Sequence, residues 1–75
     1  MKSDILDIID NHIYGCCIYY FSEEKPTKAD LSKKSIKKIV TNFIEVDSGF
    51  KFIKKHYLYE AIKGYIELEL SEKKD

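Results

Sequence analysis

Apolar residues recur every three to four positions in two parts of the chain, and this spacing predicts amphipathic helices. The first stripe consists of Ile5, Ile8, Ile9 and Ile13, and the second of Ile36, Ile39, Val40, Phe43 and Ile44. Ser3 is placed to cap the first helix and Gly15 to end it. Thr27 and Ser32 are both candidate caps before the second stripe, so that segment forms either one kinked helix or two short helices.

Two further segments have the pattern of β-strands. Residues 16–21 form a short, unbroken apolar run that is rich in β-favouring residues and lies between Gly15 and a polar turn ending at Pro26. In residues 65–70, Ile66, Leu68 and Leu70 occupy alternate positions, as in a strand with one buried face. We therefore predict strands near 16–21 and 65–70.

Residues 44–53 permit two interpretations. A turn signal around Gly49, with alternating apolar positions on either side, predicts a small hairpin. The alternative is a helix that begins near Ser48 and carries one apolar face. That face would consist of Phe50, Ile53, Tyr57 and Ala61. In both cases we expect a helix over residues 54–63 that Gly64 ends.

Together these elements predict an α+β fold. It is a single compact domain over residues 1–70, with about three helices packed on a small β-sheet, followed by a frayed polar tail over 71–75. Two strands alone make a poor sheet, so the 44–53 hairpin or a second copy of the chain has to complete it. A chain of this length buries only about 60% of its unfolded surface, which makes a partner chain a favourable source of stability.

The charges sum to zero, and all 13 basic residues are lysine. Such a composition is typical of AT-rich genomes, as in low-GC bacteria and their phages, and it removes the guanidinium fork that reads bases and phosphates. Asp4, Asp7 and Asp10 interrupt the apolar positions near the start, so we predict no signal peptide. The longest apolar run is too short to span a membrane. We therefore expect a cytoplasmic protein that does not act on membranes.

Two histidines and two cysteines are the candidate metal ligands, namely His12, Cys16, Cys17 and His56. Adjacent cysteines point to opposite faces of a strand, and zinc sites usually separate paired cysteines by two to four residues. We interpret both cysteines as buried packing residues in a reducing compartment. The chain also lacks a glycine-rich phosphate loop and a nucleophile beside a base. The sequence therefore predicts no metal, no cofactor, no small-molecule substrate and no enzymatic activity.

Six tyrosines and four phenylalanines are more aromatic residues than so small a core is expected to hold. Tyrosine is enriched in the buried centres of protein interfaces. We predict an interface formed by Tyr14, Tyr19, Tyr20, Phe21, Tyr57, Tyr59 and Tyr65. The leading hypothesis is a small regulatory or inhibitory protein that acts through protein–protein contacts and forms a homo-oligomer, docking through a tyrosine-rich sheet surface.

Residues 25–55 carry nine lysines against three acids, which favours a second hypothesis. The lysines assigned to a candidate nucleic-acid surface are Lys33, Lys34, Lys37, Lys38, Lys51, Lys54 and Lys55. Residues 61–68 resemble the junction in winged-helix proteins where the recognition helix ends and the wing begins, although only one predicted strand follows. The residues that this resemblance would place on DNA are Lys54, Lys55, His56 and Tyr59. The alternative function is accordingly a winged-helix-like DNA- or RNA-binding transcriptional regulator.

Overall fold

The computed structural model describes the backbone of residues 2–72 and the side chains of residues 7–72. Three α-helices form the domain: α1 spans Lys2–Tyr20, α2 spans Lys33–Val46 and α3 spans Lys55–Glu72. Two short 3₁₀ helices, Lys28–Leu31 and Ser48–Phe52, precede α2 and α3. The described residues contain no strand, so this part of the chain is an all-α domain.

The predicted α+β fold is therefore wrong, and the error lies at two glycines. Gly15 and Gly64 were expected to end helices, but α1 and α3 continue through them, and neither glycine has a positive φ. Residues 16–20 form the last turn of α1, and Phe21 follows directly after it. Residues 65–70 lie within α3, so the strand expected from the winged-helix resemblance is replaced by helix.

Burial at helical spacing explains why these segments are helical. On α1, Ile13 and Cys17 are four residues apart and both lie in the core. On α3, Leu58, Ile62 and Ile66 follow the same spacing and are completely buried. A short apolar run does not by itself distinguish a strand from a buried helix, and packing against the other helices decides the outcome here.

Helix α2 confirms the second apolar stripe. Ile36, Ile39, Val40 and Phe43 are buried against the rest of the domain. Its start is fixed by Ser32, whose Oγ accepts a hydrogen bond from the backbone N–H of Ser35 at 3.1 Å. Thr27 caps the first 3₁₀ helix and not α2, and its backbone N–H donates a hydrogen bond to Asp30 Oδ2 at 2.8 Å. The segment thus forms two separate helices, as one of the two alternatives predicted.

The hairpin predicted over 44–53 is also wrong. Helix α2 continues to Val46, and Asp47 Oδ1 then accepts a hydrogen bond from the N–H of Gly49 at 2.9 Å, which caps the second 3₁₀ helix. Phe50 turns into the core, whereas Phe52 is 93% exposed. The alternative prediction, a helix that begins near Ser48, is closer to the observed structure. The chain forms a 3₁₀ helix there, however, and α3 starts only at Lys55.

The helices form a bundle in which α3 contacts both α1 and α2. The hydroxyl of Tyr57 donates to the Asp10 carboxylate, and further along the rings of Tyr14 and Tyr65 lie 5.1 Å apart, so α1 and α3 advance in the same direction. Helix α3 includes residues 71 and 72 of the predicted polar tail, while 73–75 lie outside the described residues. Within 2–72, no helix combines the length and hydropathy that crossing a bilayer requires.

Candidate functional site

An unbroken series of aromatic rings connects the three helices and the second 3₁₀ helix. It passes through His12, Phe50, Phe43, Tyr20, Phe21, Tyr65 and Tyr14, with centroid distances from 4.9 to 6.0 Å. Contacts of this kind contribute about 0.5–1.5 kcal/mol each beyond the area they bury. Several aromatic residues predicted for an interface therefore also hold the fold together.

The aromatic residues predicted for an interface differ widely in exposure. Tyr65 lies in the core, and the half-buried group consists of Phe21, Tyr57 and Tyr59. Tyr14 and Tyr20 are 43% and 41% exposed, whereas Tyr19 is 83% exposed. The predicted residues that remain well exposed to a partner are thus the three tyrosines of α1.

The solvent-exposed side of α1 carries large apolar side chains among polar ones. This side, which we call the α1 outer face, consists of Ile8, Asn11, His12, Gly15, Ile18 and Tyr19. Ile8 was expected to be buried with the first stripe, but it is 68% exposed, and Ile18 is 49% exposed. The α1 outer face therefore leaves two large aliphatic side chains and Tyr19 in contact with solvent.

A groove of about 860 Å³ between α1 and α2 extends this surface. Tyr19 and Tyr20 line it from α1, while Phe43 and Val46 line it from α2. Val46 is 78% exposed, so both rims of the groove carry large apolar side chains. We call the α1 outer face and this groove together the α1 docking surface.

A hydrogen-bonded histidine–aspartate pair lies within the groove. His12 Nε2 donates a hydrogen bond to Asp47 Oδ2 at 2.9 Å, and the N–H of Gly49 donates to the other carboxylate oxygen. The bond from His12, followed by the bond from Gly49, holds the pKa of the Asp47 carboxyl below its usual value. No sequence pattern indicated this pair, because 35 residues separate its members.

Cys16 lines the same groove one helical turn after His12, which places a thiol near a His–Asp pair. Burial, and then the charge of Asp47, raises the pKa of the Cys16 thiol. A nucleophilic cysteine needs the opposite shift, toward the thiolate. Within residues 7–72, His12 hydrogen-bonds Asp47 and makes no such bond to Cys16. These three residues therefore do not form an activated nucleophile.

Cys17 lies completely inside the core, where burial raises its pKa to about 12. Both cysteines are free, and both are protonated thiols at neutral pH. Cys17 is therefore a buried packing residue, as predicted, whereas Cys16 is only half-buried and lies at the edge of the core. Across the part of the chain that the structure describes, no three His, Cys, Asp or Glu side chains are placed to hold a metal ion.

A second groove, of about 710 Å³, lies between α2 and α3 and is basic. Its basic residues are Lys33, Lys37, Lys55, His56 and Lys63, and they surround Thr41, Tyr59 and one acid, Glu60. No lysine of this groove is in an ion pair with another residue of the described range 7–72. We call it the lysine groove, and the excess of lysines over acids among its lining residues suits an anionic ligand.

The lysine groove gathers part of the predicted nucleic-acid surface. Lys33, Lys37 and Lys55 line it, together with His56 and Tyr59 from the winged-helix comparison. The other predicted lysines are exposed but do not line it, namely Lys34, Lys38, Lys51 and Lys54. Lys63 was not predicted, because it lies beyond the 25–55 segment. Lys63 follows Lys55 by eight residues and so lies on the same side of α3, and this helical spacing could have predicted it.

Comparison of the chain with family models, with curated proteins and with solved structures finds no match. The two surfaces of the domain are therefore the only indications of function in the described residues.

Proposed function

We propose that this protein is a small, non-enzymatic regulator or inhibitor of the cytosol that acts by docking another protein chain on the α1 docking surface. The observation that carries the proposal is the exposure of large apolar side chains along one helix. Tyr19 and Val46 face solvent across the groove, and Ile8 and Ile18 extend the apolar area along α1. Contiguous exposed apolar surface of this kind marks interaction sites on small proteins.

The shape of the surface suits a helix from the partner. Tyr19 and Val46 form two apolar rims, and a helix laid between them would reach Phe43 at the base. Full burial of each exposed aliphatic or aromatic side chain contributes about 1.5–3 kcal/mol. Asn11 and His12 are polar groups at the edge of the surface that would fix the register of the partner helix.

A photo-crosslinking amino acid placed at single positions tests the docking surface in cells that produce the protein. Incorporation at position 19 or 46 should give protein adducts, because both side chains lie on the proposed surface. Incorporation at position 34 is the matched control, since Lys34 is also exposed but lies outside the docking surface. Adducts that form as readily from position 34 as from positions 19 and 46 would count against the proposal.

Nucleic-acid binding is a second candidate function, and the lysine groove is the observation that favours it. Four lysines from two helices converge there, with a tyrosine on which a base could stack. The groove lies between α2 and α3, whereas the docking surface lies on α1 and the adjacent side of α2, so one chain can use both.

Charge reversal at matched positions tests the lysine groove. The double variant Lys33→Glu/Lys37→Glu changes lysines that line the groove, and Lys34→Glu/Lys38→Glu changes the same net charge outside it. If phosphates bind in the groove, the first variant should reduce the slope of log affinity against log salt by about 0.9 for each phosphate that is no longer neutralised. Equal losses of affinity in both variants would show non-specific charge attraction instead, and no binding to either duplex or single-stranded nucleic acid at low salt would exclude this function.

A further inference from the structure

We infer that the ligand of the lysine groove is a single strand of nucleic acid, with its phosphates on lysines of both helices and an unpaired base on the ring of Tyr59. The inference rests on nucleic-acid binding, the second candidate function, because it names the ligand of the same groove. It follows from the order of side chains along the two walls, from the shape of the groove and from the charge of the rest of the chain.

Each wall of the lysine groove carries a row of polar side chains that lie one helical turn apart. The row on α2 consists of Lys33, Lys37 and Thr41, and the row on α3 consists of Lys55, Tyr59 and Lys63. Positions i and i+4 of a helix lie on the same face, one above the other. Each row therefore runs along the groove for about 12 Å, at a rise of about 1.5 Å per residue.

The two rows run in opposite directions. His12 of α1 contacts Asp47, which follows the last turn of α2. Tyr20, later on α1, contacts Phe43, which lies earlier on α2. Helix α1 therefore runs against α2, and since α1 and α3 advance in the same direction, α2 and α3 are antiparallel.

The antiparallel arrangement distributes lysines along the whole groove. Lys33, at the start of α2, lies at the same end as Lys63, and Lys55, at the start of α3, lies at the opposite end. Lys37 and Tyr59 lie between the two ends. A stacked strand advances about 3.4 Å per phosphate, so a row of about 12 Å accommodates about three or four nucleotides. The groove can therefore neutralise several consecutive phosphates of one strand.

Tyr59 gives the groove an aromatic ring on which a base can stack. Its side chain is half-buried in the middle of the α3 row. Among the described residues 7–72, its ring takes no part in the aromatic series that connects the helices. A base inside a duplex is covered on both faces by its neighbours, so a base that stacks on a side chain has to be unpaired. Tyr59 therefore favours a single strand.

The shape of the groove also favours a single strand over a duplex. A duplex is read by a helix or ribbon that projects into its major groove, whereas the lysine groove is a depression between α2 and α3. The link between these helices spans residues 47–54 and includes a 3₁₀ helix, so it differs from the turn of about three or four residues in a helix-turn-helix pair. A basic groove with an aromatic side chain is typical of proteins that bind single strands without sequence preference.

The charge of the remaining chain directs an anionic ligand to this groove. Residues 1–24 carry five acids and one lysine, whereas the lining of the groove carries four lysines and one acid. A strand is therefore repelled from the α1 side of the domain and attracted to the side formed by α2 and α3. The chain contains no arginine, so we expect the strand to be bound without recognition of its sequence.

Fluorescence anisotropy with a labelled oligo(dT) strand, and with a duplex of the same length, provides the first test. The strand should bind more tightly than the duplex at low salt. The slope of log affinity against log salt should be about −2 to −3 if about three or four phosphates of the strand are neutralised. Tighter binding of the duplex would overturn the inference.

Substitution of Tyr59 tests the stacking of a base. Tyr59→Leu keeps an apolar side chain at this half-buried position and should weaken strand binding by about tenfold, whereas Tyr59→Phe should retain the affinity. Tyr19→Leu is the matched control, because Tyr19 is an exposed tyrosine outside the groove. Circular dichroism establishes that each variant remains helical. Equal affinities of the Tyr59→Leu and Tyr19→Leu variants would contradict a base on Tyr59.

Photo-crosslinking locates the stacked base directly. A strand in which 5-iodouracil replaces thymine forms a covalent adduct under ultraviolet light with an aromatic side chain that it stacks on. Mass spectrometry of the digested protein should place this adduct on Tyr59. Adducts on Tyr19, or spread evenly over the exposed tyrosines, would overturn the proposed geometry.

The outcomes separate this inference from the function on which it rests. Equal affinity for strand and duplex, with no effect of Tyr59→Leu, refutes the single strand and leaves nucleic-acid binding through charge alone. Displacement of the strand by polyglutamate as readily as by unlabelled oligo(dT) would assign the groove to an acidic protein segment and also refute the inference. If neither strand nor duplex binds at low salt, both the inference and the second candidate function fail.

Discussion

Replacing Gly15 or Gly64 with alanine should stabilise the domain, although both are glycines in segments that resemble helix ends. Each residue lies inside a long helix and has a negative φ, so alanine fits the backbone without strain. A Cβ atom at either position would have no neighbour within 4 Å, so neither change creates a clash. The effect should therefore come from helix propensity and from the reduced freedom of the unfolded chain.

The expected gain is about 1 kcal/mol for each substitution. In a domain of this size, 1 kcal/mol raises the melting temperature by about 4–8 °C. The two sites lie on different helices and share no neighbour, so the double variant should gain about 2 kcal/mol. Urea unfolding followed by circular dichroism measures these differences directly.

The sign of the effect tests the fold. If Gly15 and Gly64 ended their helices in a left-handed conformation, as the sequence pattern alone predicts, alanine would destabilise the protein by a comparable amount. A loss of stability in either variant would therefore refute a continuous α1 or α3.

Three further predictions concern the core and the groove. Phe50→Ala should destabilise the domain by about 3–5 kcal/mol, because this buried ring contacts both His12 and Phe43. Urea unfolding measures the loss, and a loss below about 1 kcal/mol would show that the aromatic series contributes little to stability. Cys17 should react with iodoacetamide roughly a thousandfold more slowly than a free thiol at neutral pH, because its pKa is about 12. Mass spectrometry of the modified peptide measures the rate. Rapid labelling under native conditions would place Cys17 at the surface. The pKa of Asp47 is lower in the folded chain than in the unfolded chain. The hydrogen bonds to its carboxylate therefore stabilise the fold at a pH above the unfolded-state pKa. This stabilisation is lost as the pH falls below about 4 and through the folded-state pKa. Asp47→Asn should therefore unfold with a weaker acid dependence than the parent chain, and an unchanged dependence would argue against the bond from His12.

The parts of the fold that the sequence predicts correctly are those with a complete amphipathic pattern. In α2, the apolar stripe is flanked by lysines on the outer side, so both the helix and its buried face follow from the spacing. The start of α3 near Lys55 also follows from the pattern. The ends of α1 and α3 do not, because residues 16–21 form an unbroken apolar run and Ile66, Leu68 and Leu70 alternate with polar residues, both of which are patterns typical of strands.

At Gly15 and Gly64, local propensity and tertiary packing lead to different structures. Glycine before an apolar run is a common helix stop, and residues such as Ile18 and Tyr19 favour strands. What keeps the helix continuous is contact with distant residues. Phe21 packs on Tyr65 of α3, and Tyr20 packs on Phe43 of α2. These contacts depend on the fold itself and leave no local mark in the sequence.

Each candidate site likewise contains some residues that the sequence predicts and others that only the fold reveals. The exposed tyrosines of α1 and three lysines of the lysine groove could be selected from composition and charge alone. The neighbours that complete each surface came from other elements. Val46 joins the docking surface from the last turn of α2, and Lys63 joins the lysine groove from the middle of α3. The His12–Asp47 pair needed the fold for the same reason.

The aromatic series also bears on how the domain opens. It begins and ends on α1 and passes through α2, the second 3₁₀ helix and α3, so separating any one helix breaks ring contacts made by the others. A chain held in this way should unfold as one cooperative unit. Native-state hydrogen exchange should then give core amides in all three helices, such as those of Cys17, Val40 and Ile62, a common free energy of opening.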